Sequence, residues 1–276
     1  MSAEPVWIDG AVVDGARAQI GADDRGFLLG HGAFETLRFA HGAIKRWPAH
    51  LVRLEGGLAY MGVDRPAILD EVPSAARQLA QASGLADGVA RLTVSAGGGG
   101  GGLQHRAGFA PRVVLALRPR PSPPAAVAVR IAEGARRSGS PGERFKLSGY
   151  ADLIAARREA VAAGDDRAVV TGPGGVLACA DCANLFWILK GRLFTPALET
   201  GALAGVTRAA LIEAAAASGR VVEEAAAPPD ALMGAETAFM TNAVEGLTAI
   251  SSVNGIGKEV DHPMLGRLRA VLAGDD

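Results

Sequence analysis

Residues 174–187 read GGVLACADCANLFW and hold both cysteines of the chain, Cys179 and Cys182, in a C-x-x-C run that leads into an apolar stretch. Two thiols at this spacing suit either a redox dithiol or half of a zinc site. A closed zinc site needs four ligands, and the five histidines (His31, His41, His50, His105, His262) are scattered without metal-ligand spacing. A thioredoxin-like dithiol opens a helix after a strand, whereas Asn184–Ile188 followed by Lys190-Gly191 reads as a strand entering a hairpin. The residues therefore favour two small side chains packed in a turn between strands, with no metal, in a strand-rich part of the chain.

The rest of the composition sets the class. The 276 residues, 49% hydrophobic and 21% charged, can build one large or two modest globular domains. A net charge of −1 asks for neither nucleic acid nor an anionic membrane as partner. The N-terminal MSAEPVWIDG lacks a basic segment followed by an apolar run, and no stretch approaches ~20 apolar residues, so no membrane span is expected. Two cysteines make no disulfide framework, and a cytoplasmic location is the default expectation.

Working towards the N-terminus and back, Val6–Ile8, Asp9-Gly10 and Ala11–Val13 form a hairpin pattern, and Ala33–Phe39, His41-Gly42 and Ala43–Trp47 a second. Leu51, Leu54, Leu58 and Met61 give a one-sided helical stripe after Pro48. Residues 66–84 predict another helix, and 90–95 and 112–117 predict strands. Glycines 97–102 form a loop. Arg118-Pro-Arg-Pro-Ser-Pro-Pro124 excludes helix and sheet interior alike and reads as a stiff linker. Beyond it, strands are predicted near 127–131, 167–171, 176–178, 184–188, 220–224, 236–240 and 247–253, with helices at 151–163, 206–218 and after Pro263. The expected organisation is a small α+β domain over 1–118, a linker at 119–125 and a larger strand-rich domain over 126–276.

The chain has four lysines. Lys45 and Lys190 lie at hairpin turns and Lys258 among glycines, ordinary places for a solvated lysine. Lys146 stands between Phe145 and Leu147 just ahead of a helix, so its stem is packed; the residues alone allow a structural lysine there or a Schiff-base one. Gly205-Val206-Thr207 opens a helix and offers free N–H groups and a hydroxyl, either as a plain cap or as a phosphate seat. Arg53 is either a surface arginine or a second phosphate ligand. A packed lysine with a phosphate seat is what a pyridoxal-phosphate enzyme requires.

Asp24-Arg-Gly-Phe-Leu-Leu-Gly-His-Gly-Ala-Phe-Glu-Thr36, His50-Leu-Val-Arg-Leu54, Lys146, Ala183-Asn-Leu-Phe186 and Gly205-Val-Thr-Arg208, in this order and spacing, resemble the class IV (fold type IV) pyridoxal-phosphate enzymes. That family includes aminodeoxychorismate lyase and the D-amino-acid and branched-chain aminotransferases. The resemblance covers about residues 5–255 and implies a two-domain α+β fold with a pseudo-barrel second domain, pyridoxal 5′-phosphate as cofactor in the cleft between domains, and a homodimer. It implies that Lys146 forms the Schiff base and moves the substrate proton, that Arg53, Val206 and Thr207 bind the phosphate, and that the Asn242-Ala243 turn closes over the phosphate and substrate. Asn184–Trp187 and Asn242-Ala243 look more like the lyases than the branched-chain aminotransferases.

Two departures matter. The family places a glutamate five residues before the asparagine of its N-L-F strand, where it keeps the pyridine nitrogen protonated; here that residue is Cys179, with Asp181 nearby as a substitute partner. The arginines common in the family's S-R-G-x-x-x-R-G loop fall on Ala96 and Gly101. Substrate contacts are then expected from Phe34 and Arg38 on the second hairpin, and from His105 and Arg106 past the glycine tract. Three functions follow: elimination of the aminodeoxychorismate-lyase kind on an amino acid or aminated cyclic acid, slightly favoured; transamination of D- or branched-chain amino acids with a keto acid; or a cofactor-binding relative whose turnover is lost or altered through Cys179.

Overall fold

The computed structural model describes residues 4–99, 102–104 and 110–274. The chain divides into two compact units. The first holds the residues up to Pro121 together with Phe145–Gly149; the second holds Ser122–Arg144 and everything from Tyr150. The division falls inside the proline-rich run, and the chain returns briefly to the first unit around Lys146.

The first unit comprises β1 (Pro5–Ile8), β2 (Ala11–Asp14), the short α1 (Arg25–Leu29), β3 (Gly32–Ala40), β4 (Ala43–Ile44), α2 (Trp47–Tyr60), α3 (Val72–Ser83), β5 (Asp87–Ser95) and β6 (Arg112–Pro119). The strands form one antiparallel sheet in the order β2-β1-β6-β5-β3-β4. Alternation decides its faces. Leu37, Phe39, Leu92 and Leu115 lie in one core with Leu54 and Leu58 of α2 and Leu79 of α3, each leucine contributing about 2 kcal/mol of burial. Phe34, Thr36 and Arg38 alternate to the other face.

Local chemistry sets the helix limits. The helix expected over 66–84 begins as a 3-10 turn, Ala67–Glu71, and becomes α-helical at Val72, because Pro73 fits only a first turn; Gly84, at φ 66°, ends it. The second hairpin is shorter than its pattern, since Trp47 already starts α2 with Pro48 in the first turn. The unpredicted α1 has too few residues to show periodicity, but Asp24 caps it by accepting from the N–H groups of Gly26 and Phe27. Phe27, Leu28 and Leu29 remain exposed on it.

The second unit comprises β7 (Ala126–Arg136), α4 (Ala151–Ala162), β8 (Arg167–Thr171), β9 (Leu177–Ala180), β10 (Asn184–Leu189), β11 (Arg192–Pro196), α5 (Val206–Ala217), β12 (Val222–Ala225), α6 (Pro229–Met233), β13 (Thr237–Asn242), β14 (Gly246–Val253), β15 (Ile256–Gly257) and α7 (Pro263–Gly274). Its mixed nine-stranded sheet runs β12-β11-β10-β13-β14-β7-β8-β9, with β15 on β14. Two apolar clusters contain residues of β10 and β13: Leu185, Trp187, Ala238 and Met240 in one, and Phe186, Ile188 and Phe239 with residues of α5 and α7 in the other. A strand buried on both faces reads as a continuous apolar run, as Leu185–Ile188 does. No helix among the described residues is long and apolar enough to cross a membrane.

Candidate active site

In the first unit, Lys146 is fixed by its backbone. Its carbonyl accepts from Phe34 N–H (2.8 Å), Ser148 N–H donates to Gly32 O (3.1 Å), and Leu147 bridges Ala33, so Phe145–Gly149 lies as an extra antiparallel segment along β3. Two glycines in the middle of α2 make this approach possible. A Cβ on Gly56 would come within 2.5 Å of the Phe145 ring and one on Gly57 within 3.3 Å of Phe145 Cβ, which accounts for residues that cost a helix interior about 1 kcal/mol each. Lys146 Nζ lies 4.4 Å from the centre of the Phe34 ring. Arg91, on β5 opposite Thr36, places its guanidinium carbon 3.4 Å from the same centre. Two cations thus share the one ring.

Arg91 is absent from the residues singled out in the sequence. Alternation along 90–95 does give Arg91 and Thr93 one face, but the pairing of β5 with β3 that brings them to Phe34 is a long-range fact. Arg38 is engaged elsewhere: it makes a bidentate ion pair with Asp87, roughly 13 Å along β3 from Phe34. His105 and Arg106 lie outside the described residues.

Arg53 reaches the opposite, covered face of β3. Its Nε donates to Glu35 Oε1 (2.8 Å) and its Nη2 to Glu35 Oε2 (2.5 Å), while His50 Nδ1 lies 2.8 Å from Oε2. Glu35 is fully buried. Burial alone would push its carboxyl up, but the hydrogen bonds and charges of His50 and Arg53 outweigh that and hold it below the usual carboxylate range. The triad ties α2 to β3 and fixes Arg53 in one orientation.

In the second unit, Gly205 precedes α5 and supplies no side-chain cap, which leaves the first-turn N–H groups of Val206 and Thr207 without that partner. Glycine is required there by contact: a Cβ would fall 1.8 Å from Asn184 Oδ1, whose amide in turn donates to Leu203 O (2.8 Å). Thr241 pairs with Asn184 across β13 and β10, so both side chains share the face against which α5 begins. Thr241 Oγ1, together with Nε of Arg208 in the first turn of α5, is buried and makes no hydrogen bond among the described residues. Uncapped helix N–H groups, a steric cradle and orphaned buried donors are the donor set a phosphate needs, and the expected cofactor fits them.

Asn242 and Ala243 lead out of this same strand end. Cys179, on β9, packs with Ala132, Ala135, Leu153, Ala156, Ala160, Ala168 and Val170, several of them on α4, and burial pushes its thiol up to about 11. Asp181, the alternative partner for the ring nitrogen, is occupied: Arg157 Nε and Nη2 and Ala168 N–H all donate to its carboxylate. Both cysteines are free; Cys179 is in the strand and Cys182 in the following turn.

Residues 32–253 match the amino-transferase class IV family. The aminodeoxychorismate lyase of Bacillus subtilis is 30% identical over 248 residues, which is 87% of this chain and 83% of that protein. Among solved structures, 4-amino-4-deoxychorismate lyase from Pseudomonas aeruginosa superposes with a TM-score of 0.84 at 28% identity, covering 98% of each chain. The branched-chain aminotransferase from Thermoproteus uzoniensis gives 0.91 at 25% identity, covering 99% of this chain and 94% of that one. The two units are thus those of fold type IV, and the chain belongs to the class IV aminotransferase family of pyridoxal 5′-phosphate enzymes.

Proposed function

We propose that this enzyme catalyses elimination from an aminated cyclic acid, in the manner of aminodeoxychorismate lyase. The observation that carries the reading is Cys179, a buried thiol pushed up to about 11, in the position where the family carries a carboxylate. A neutral thiol cannot keep a pyridine nitrogen protonated as a carboxylate does. Amino transfer, which depends on a strongly electron-accepting ring, would suffer from this loss more than elimination, whose electrons leave with the departing group. The identity to the Bacillus subtilis lyase and the Asn242-Ala243 turn support the same choice.

When bound, pyridoxal phosphate supplies an electron-accepting ring conjugated to the substrate carbon that bears the amine. Lys146 holds the cofactor through its amine and, once displaced by substrate, takes the proton from that carbon. Val206, Thr207 and Thr241 would hold the phosphate with N–H and hydroxyl donors; for Arg53, oriented by Glu35, the role of phosphate ligand rests on the family resemblance. Arg91 receives a substrate carboxylate beside Phe34. Aminodeoxychorismate supplied alone should release pyruvate stoichiometrically. Absence of pyruvate, together with one-for-one consumption of a keto acid by a D- or L-amino donor, would instead establish the aminotransferase reading.

Phe27, Leu28 and Leu29, with Leu103 88% exposed beyond Gly102, whose carbonyl accepts from Arg25 Nη1, form an apolar surface on the first unit. A second copy of the chain covers it. Light scattering should give twice the chain mass for the wild type and the chain mass for Phe27→Asp; a monomeric wild type would contradict this.

A further inference from the structure

The turn that follows Thr241 is held from outside by an ion pair that the chemistry above does not use. Asn242 ends β13 and Gly246, at φ 72°, begins β14 opposite it. Between them Asn242 Oδ1 accepts from Val244 N–H (2.9 Å) and Glu245 N–H (2.8 Å), which fixes the turn internally. The carboxylate of Glu245 then points back across the sheet. Its Oε1 accepts from Arg167 Nη2, while its Oε2 accepts from Asn242 Nδ2 and Thr248 Oγ1, each at 3.2 Å. The Arg167 and Glu245 side chains are only 10% and 13% exposed, so solvent screens the pair little.

Arg167 is itself held. It opens β8, and its Nη1 donates to Cys182 Sγ (2.7 Å) in the turn that Asp181 and Arg157 anchor to α4. The turn after Thr241 is thereby tied to β8 and the β9–β10 turn as well as to its own strands. Without the charge on either partner, Glu245 would keep two long contacts from neutral donors, and the turn would keep its internal bonds but lose its external anchor.

We propose that Arg167 and Glu245 are positioning residues: their ion pair sets the Asn242–Gly246 turn, and through it Thr241, against the phosphate seat at the start of α5. This rests on the cofactor reading above, and concerns the phosphate end of the site rather than the carbonyl end at Lys146. A positioning role at the phosphate end should therefore distinguish two ligands that differ only in the phosphate.

The full-length protein, freed of cofactor, is titrated with pyridoxal 5′-phosphate and with pyridoxal, which lacks the phosphate. Glu245→Gln and Arg167→Met should each raise the dissociation constant for pyridoxal 5′-phosphate by about tenfold and leave that for pyridoxal within about twofold. Arg167→Lys, which keeps the cation, should restore most of the affinity. Loss of both ligands by the same factor, accompanied by a fall in thermal midpoint, would mean a merely structural pair and would overturn the proposal. So would phosphate-ligand affinities within about twofold of wild type in both variants. A wild-type protein that takes up neither ligand would refute the cofactor reading itself, and this inference with it.

Discussion

Lys146→Ala should lower turnover by at least ~10³-fold and remove the visible-edge absorption of the bound cofactor, while the protein stays folded. Both halves follow from how the residue is held. Its position depends on backbone groups, Phe34 N–H to Lys146 O and Ser148 N–H to Gly32 O, which the substitution leaves in place. The side chain contributes a cation–π contact with Phe34, worth about 0.5–1 kcal/mol against a domain stability of roughly 5–15 kcal/mol. On the role proposed for it, the substitution removes the amine that would hold the cofactor and move the substrate proton. A variant with more than about a tenth of wild-type turnover, measured with matched cofactor loading, would exclude Lys146 from that role.

Cys179→Glu should raise the half-reaction with amino donors by about 10–100-fold, the value of a charge-assisted hydrogen bond of about 1.5–3 kcal/mol gained at the ring nitrogen. Elimination should change much less, because its electrons leave with the departing group. The substitution also has a structural cost. A carboxylate placed among Ala132, Leu153, Ala156 and Ala160 is unpaired until the cofactor arrives, so the cofactor-free variant should be less stable than wild type and regain stability on loading. Stopped-flow measurement of the amino-donor half-reaction decides the matter. A rate equal to or below wild type would show that Cys179 is not the ring partner, although Asp181, held by Arg157 and Ala168 N–H, is poorly placed to replace it.

The contrast between Lys146 and Arg91 shows what can be read from the chain without its fold. Hairpins marked by Asp9-Gly10 and His41-Gly42, the leucine stripe of α2 and the apolar run at Leu185 are local signals, and local signals suffice to predict the elements around them. Lys146 could be singled out because Lys45 and Lys190 sit at hairpin turns and Lys258 among glycines, although the structure corrects the expectation of a solvated Lys258: its Nζ donates to Met233 O and Ala235 O. Arg91 could not, because its relevance comes from the β3–β5 register, which nothing local encodes. The return of Phe145–Gly149 to the first unit was hidden for the same reason, although the Gly56-Gly57 pair in a helical stripe is its trace: two glycines where a helix prefers alanine mark a close approach. Glu35 and Glu245 read as ordinary acids in sequence; only burial against His50 and Arg53, or against Arg167, reveals them as anchors. The short helices α6 and α1 escaped because five residues carry too little pattern to tell a helix from a turn, and β11 was implied only as the second arm of the hairpin at Lys190-Gly191.

Borohydride reduction of the loaded wild-type protein, followed by mapping of the modified peptide, decides whether Lys146 alone carries the cofactor. One reduced cofactor per chain is expected, on the peptide containing Lys146, and none in Lys146→Ala. A label on Lys45, Lys190 or Lys258, or a protein that reduction leaves unmodified, would contradict that assignment.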